Sequence, residues 1–295
     1  MKKTIFKGAG VALITPMNND GSVNYETLEK LIEFQVNNRT DAIISCGTTG
    51  ESATLSPLEH SKVIEFTLKK VNGRIPVIAG SGSNNTETAL KLSKEAESMG
   101  VDGLLIVTPY YNKTSQNGLI KHYNYIADKV STPIILYNVP PRTGVNILPE
   151  TYLKLSEHPN ICATKEANGN ISSVAKTISL CGENLAVYSG NDDQIVPILS
   201  LGGIGVISVL SNVCPSECHD IVNEFLNKNV KHSADLQLKY LELIDMLFCD
   251  VNPVPVKEAL NLMGYSCGEC RMPLEKLSES SHKKLKDVMT KYNLI

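Results

Sequence analysis

At 295 residues, 42% hydrophobic and 20% charged with no Trp, the chain can bury a large aliphatic core. It suits a single α/β barrel of about 250 residues with an appendage. A formal net charge of −3 with both signs interspersed leaves no basic stripe, which argues against nucleic acid or an anionic membrane as partners and favours small molecules.

In chain order, the N-terminal MKKTIFKGAG carries lysines, but no apolar stretch of signal-peptide length follows them. No run of about 18 apolar residues occurs further on, so the expected location is cytoplasmic. Short runs rich in Val and Ile predict strands over residues 11–16, 42–47, 76–82, 103–109, 133–140, 161–167, 186–191 and 205–210. Between them lie segments of helical period. Residues 24–38 put Leu28, Leu31, Ile32 and Gln35 on one face, and residues 86–100 end at Gly100. The strands are apolar at nearly every position, as parallel strands covered on both faces are, and they recur at about 30 residues, the size of a βα unit.

Eight such units predict an α/β fold closed as a (β/α)8 TIM barrel, since closure removes both sheet edges. A doubly wound open sheet is the rival, but no G-x-G-x-x-G follows the first strand to favour it. Residues 215–229 complete the eighth unit. The barrel is therefore expected over residues 1–229, with a C-terminal helical extension over residues 230–295. Several of the eight cysteines lie inside apolar runs and read as reduced, packed thiols. Cys267 and Cys270 form a lone CGEC with no second pair and no nearby histidines, and are expected to be surface thiols. No concentrated ligand cluster appears, so no metal is expected.

In such a barrel the chemistry collects at the C-terminal strand ends. Lys165 stands at one, in ICATKEA. Low dielectric disfavours an ammonium, and a neutral amine is a nucleophile for a carbonyl carbon, giving a Schiff base that withdraws electrons. The plainer alternative is a lysine paired with Glu166 or reaching to the rim. Tyr137 closes the preceding strand, where a phenol can pass protons as general acid and base, or simply pack. GTTGE offers Thr48 and Thr49 at the end of strand two, either as a carboxylate cradle or as a turn capped by Thr49 or Ser52. Arg142, after strand five, has the planar fork that suits a carboxylate. Tyr110 and Tyr111 cannot both face inward from one extended segment, so one is expected to point toward a neighbouring subunit.

GTTGESATLSPLE, YYNK, ILYNVPPRTG, TKEANG, SGNDD and GGIGVISV, in this order and spacing, resemble the dihydrodipicolinate synthase family within the N-acetylneuraminate lyase superfamily of class I aldolases. The resemblance runs from about Gly8 to the C-terminus. It implies condensation of pyruvate with L-aspartate 4-semialdehyde, the entry to diaminopimelate and lysine biosynthesis, with no cofactor beyond the covalent Schiff base. By the same resemblance Lys165 is the Schiff-base lysine and Tyr137 the proton shuttle. Thr49 and Tyr111 complete a hydroxyl relay, with Tyr111 supplied by the partner subunit. Thr48 and Thr49 hold the pyruvate carboxylate, Arg142 holds the semialdehyde carboxylate, and the backbone at Gly190 and Ile207 lines the pocket. The expected assembly is a homo-oligomer, a tetramer built as a dimer of dimers.

Family members inhibited by lysine use a second pocket, of which Ser52, Ala53, His60, Asn84 and Tyr110 remain here. Pro57 replaces a histidine, and Thr88 stands where a glutamate would be. Losing that carboxylate removes a charge-assisted bond to the effector's ammonium, worth about 1.5–3 kcal/mol, so lysine feedback is expected to be weak or absent. Two alternatives remain open. An N-acetylneuraminate or 2-keto-3-deoxy sugar acid aldolase would share Lys165 and Tyr137 but needs polar groups for a long hydroxylated chain. A non-catalytic barrel binding a keto acid would not need both residues on adjacent strands.

Overall fold

The structure is a computed structural model that describes residues 2–295. Eight strands run β1 Gly8–Ala12, β2 Ala42–Ser45, β3 Val77–Gly80, β4 Gly103–Val107, β5 Ile134–Asn138, β6 Ile161–Glu166, β7 Ala186–Ser189 and β8 Gly205–Ser208. They pair in sequence order, all parallel, and β8 returns to β1 to close a barrel. Connecting helices are α1 Tyr25–Asn37, α2 Pro57–Val71, α3 Thr86–Met99, α4 Gln116–Ala127, the short α5 Pro140–Thr143 and α6 Pro149–Leu155, α7 Ile171–Cys181, α8 Ile195–Ser200 and α9 Pro215–Leu226. Three more follow: α10 Val230–Leu247, α11 Val254–Leu262 and α12 Glu279–Lys291. The TIM barrel expected from eight apolar runs is the fold.

The amphipathic pattern of α1 folds as its period predicts, burying Leu28, Leu31, Ile32 and Gln35 against the sheet. Gly100 ends α3 in the left-handed conformation, φ 87°, where a side chain would be strained. The α2 cap is neither Thr49 nor Ser52. Ser56 takes that role, forming a reciprocal box with Glu59.

The first strand begins at Gly8, earlier than the apolar run 11–16 suggests. The cause lies in the barrel floor. Phe6 stacks on Tyr188 with ring centroids 4.4 Å apart, and a Cβ on Gly10 would stand 2.8 Å from the Phe6 ring. Glycine lets β1 pass this plug. Above it Ile44, Ile78, Leu105, Ile135 and Ile207 fill the interior, while a larger apolar layer packs strands against helices. The barrel is thus solid up to its mouth.

One irregularity decides what faces inward. Ile134 pairs with Ile161, but Ile135 pairs with Ala163, so Cys162 is an extra residue in β6. Unshifted pairing would set Tyr137 beside Thr164. The bulge moves the register by one and sets Tyr137 beside Lys165.

All eight cysteines are free. Cys267 is not a surface thiol as expected: it is fully buried, its N–H bound to Asn261 Oδ1 at 2.7 Å and its C=O accepting from Met17 N at 2.8 Å. Cys270 is half-buried. Among the described residues no helix is long and apolar enough to cross a membrane. Among the same residues no group of three or more His, Cys, Asp or Glu side chains gathers to hold a metal.

Candidate active site

Tyr137 and Lys165 are cross-strand partners at the C-terminal ends of β5 and β6. Both are buried, 7% and 6% exposed, and Lys165 Nζ lies 4.4 Å from the Tyr137 ring centroid. Alternation along β6 sends Lys165 into the barrel with Ala163 and Ala167, and sends Glu166 out of it. The alternative Lys165–Glu166 pairing therefore does not form. Glu166 accepts instead from Asn138 Nδ2 at 3.0 Å, Tyr152 OH at 2.8 Å and Asn168 N at 2.9 Å. Burial pushes its carboxyl up to about 7, against the pull of these donors.

The GTTGE turn packs tightly beside β2. A Cβ on Gly50 would approach the Cys46 backbone at 3.2 Å, and Thr15 Oγ1 donates to Gly50 O at 2.7 Å. Thr49 is buried, and its Oγ1 accepts from Asn252 Nδ2 at 3.0 Å. Arg142, in α5, is exposed and donates from Nη2 to Asn252 O at 3.1 Å. A cavity of about 450 Å³ opens between Thr48, Tyr137 and Arg142. A phenol, hydroxyls and a guanidinium thus border one cavity, and the buried amine lies against the phenol. That set suits covalent capture of a ketone bearing a carboxylate.

A family model described as the Dihydrodipicolinate synthetase family matches residues 5–292. The chain belongs to that family. A Caldicellulosiruptor bescii protein named 4-hydroxy-tetrahydrodipicolinate synthase is 56% identical over 291 residues, covering 99% of this chain and 98% of its own length. A Caldicellulosiruptor saccharolyticus protein of the same name is 57% identical over 290 residues, covering 98% of each. Among solved structures, a dihydrodipicolinate synthase from Acinetobacter baumannii complexed with pyruvate superposes with a TM-score of 0.97 at 41% identity. The match spans 99% of this chain and 100% of that one.

Gly190 and Ile207, the backbone positions that the family resemblance implies, directly follow β7 and lie within β8, respectively. Gly190 N donates to Glu166 O at 2.7 Å, and a Cβ there would stand 2.7 Å from Ala167 Cβ. Ile207 faces the interior. Asp192, just beyond Gly190, is fully buried and accepts from Val209 N at 3.0 Å and Leu210 N at 2.9 Å, pinning the end of β8. Burial raises its carboxyl above the usual range, offset by those donors and by the Lys165 charge. Tyr110 borders the 450 Å³ cavity. Tyr111, held at φ 68°, is 91% exposed.

The residues expected of a lysine pocket from the family resemblance divide. Ser52, Ala53, His60 and Tyr110 border the same cavity as Tyr137, together with Pro57 and Thr88. Asn84 borders a separate cavity of about 420 Å³. His60 Nε2 is bonded to Gly80 O at 2.8 Å, and burial lowers its pKa below the usual imidazole value.

Asn252, Lys257 and Arg271 are absent from the sequence reading. Lys257 Nζ pairs with Glu51 Oε1 at 2.6 Å, and the Arg271 N–H donates to Glu51 Oε2 at 2.8 Å. The one available signal was a lysine within the apolar stretch VPVKEAL, where burial calls for a partner.

Proposed function

We propose that the chain condenses pyruvate with L-aspartate 4-semialdehyde to 4-hydroxy-tetrahydrodipicolinate, in the route to diaminopimelate and lysine, without a bound cofactor. Lys165 Nζ adds to C2 of pyruvate, and Tyr137 passes a proton to the leaving hydroxyl as water departs and the imine forms. Loss of a C3 proton gives an enamine, whose C3 attacks the aldehyde carbon of the second substrate. The substrate's own amine then adds to C2, closing the ring and expelling Lys165. Each step moves a proton at one place, which a fixed phenol serves better than diffusing water.

The observation that carries this reading is the pairing of Lys165 with Tyr137 at one buried strand end. Family members are named for this activity, and one relative holds pyruvate. Thr48 and Thr49 are assigned the pyruvate carboxylate, Arg142 the semialdehyde carboxylate, and the backbone at Gly190 and Ile207 the pocket wall. Thr49 and Tyr111 extend the proton relay, with Tyr111 serving the partner's mouth in a dimer-of-dimers tetramer. Its exposure and left-handed backbone support that role. We assign residues 1–229 to the barrel and 230–295 to the helical extension. Eight free thiols fit a reducing cytoplasm.

The test is mass spectrometry after pyruvate and borohydride, on the native chain and on Lys165→Ala. One reduced pyruvate adduct is expected on the native chain and none on the variant; an adduct persisting at full occupancy on the variant overturns the assignment. Pyruvate consumption with aspartate semialdehyde, but not with N-acetylmannosamine, separates this reading from sugar acid aldolases.

A further inference from the structure

The outer face of β6 holds a buried carboxylate for which the proposed chemistry has no use. Glu166 sits directly after Lys165, and Asn138 directly after Tyr137, and these two are also cross-strand partners. Asn138 Nδ2 reaches both Glu166 oxygens, at 3.0 and 3.2 Å. The same amide is itself anchored: Nδ2 also donates to Asn146 Oδ1 at 2.8 Å, and Oδ1 accepts from Ile147 N at 3.1 Å. Behind Glu166, Tyr152 OH donates to Oε2 at 2.8 Å and accepts from Thr164 Oγ1 at 3.1 Å. Every member of this cluster is packed outside the barrel, and Glu166 touches no substrate surface.

We infer that Glu166 is a positioning residue. Through Asn138 it holds β5 and β6 in the shifted register that sets Tyr137 opposite Lys165. The bulge at Cys162 makes that register a choice, because the unshifted pairing that begins at Ile134 and Ile161 would put Thr164 beside Tyr137. A slip of one residue exchanges the faces of a strand. Backbone hydrogen bonds serve either register equally, whereas the Asn138–Glu166 bond exists only in the shifted one. The side-chain tie stands one residue from the reacting pair, at the open end of the strands, where fraying would otherwise begin. A small displacement there costs rate steeply, because proton transfer needs the phenol within reach of the hydroxyl that leaves as the imine forms.

This inference rests on the aldolase reading above, and the native chain serves as the control. If the native chain forms no borohydride-trapped pyruvate adduct, the aldolase reading fails. If the native adduct forms and the variants below behave as native, only the positioning role fails. Glu166→Ala removes every acceptor, whereas Glu166→Gln keeps a carbonyl oxygen for Asn138. In Glu166→Ala the adduct-forming rate and kcat are expected to fall about tenfold or more, with the pyruvate KM within about threefold of native. Glu166→Gln is expected to recover most of that loss. A native rate in Glu166→Ala overturns the inference, and so does equal impairment of Glu166→Gln, which would assign the effect to charge instead of register. If Glu166→Ala does not fold, Tyr152→Phe withdraws one donor and leaves the ring in place. Its adduct rate is expected to fall about threefold, and a native rate there overturns the inference.

Discussion

Lys257, in α11, and Glu51, in the turn after β2, form a fully buried ion pair, Nζ to Oε1 2.6 Å, with both side chains 2% exposed. The bond fastens the C-terminal helices to the same turn that carries Thr48 and Thr49. Removing one partner strands a carboxylate away from water, at about 3–5 kcal/mol. Lys257→Met is therefore expected to lower the melting temperature well below native, and Glu51→Gln with Lys257→Met to recover more than half of the loss. A single variant as stable as the native chain would remove the pair from the account.

Tyr137→Phe keeps the ring beside Lys165 and deletes only the hydroxyl. Positioned acid and base groups contribute about 10²- to 10⁴-fold, so kcat is expected to fall within that span while the thermal midpoint stays near native. Steady-state kinetics with both substrates measure it. A loss under about threefold would show that another group moves the protons.

Arg142→Lys keeps the charge and loses the fork. With the semialdehyde carboxylate assigned to this guanidinium, its KM is expected to rise about tenfold or more while the pyruvate KM holds. The reverse pattern would move the arginine to the other substrate.

L-lysine is expected to inhibit weakly. Pro57 and Thr88 border the cavity where charge-assisted partners would be needed, and a missing partner costs about tenfold or more in affinity. A titration with half-inhibition below about 1 mM contradicts this.

His219 Nδ1 meets Asp41 Oδ2 at 2.9 Å, and that hydrogen bond raises the imidazole pKa above its ordinary 6.5. A group raised on folding stabilises fully below its unfolded pKa, and the contribution is lost as pH rises through the folded value. The stability gap between the native chain and His219→Gln is thus expected to be widest below about pH 6.5 and to shrink as pH rises above it. Thermal melts on either side of that pH read it, and a gap that widens with pH would reverse the sign.

The barrel was legible because its strands, buried on both faces, are written as continuous apolar runs with breakers between them. Lys165 was legible for the converse reason, as a charge where the pattern calls for Val or Ile. The start of β1 was obscured because Gly8 and Gly10 look like turn residues: the Phe6 plug explains Gly10, whereas φ 117° and the Asp41 carboxylate against the backbone explain Gly8. Cys267 looked exposed in CGEC, since Met17, whose N–H bonds its carbonyl, is distant in sequence. Asn252 carries no local signal at all: its meaning lies in Thr49 and Arg142, which neither composition nor periodicity connects to it.

The Asn252–Thr49 bond spans 203 positions, and the order of synthesis gives this a consequence. A ribosome emits the chain from its first residue onward, so all eight strands leave the exit tunnel before the amide that braces Thr49 has been made. A nascent chain halted short of that point carries Thr49 without its brace. The brace on Thr49 therefore arrives late, with the last helices.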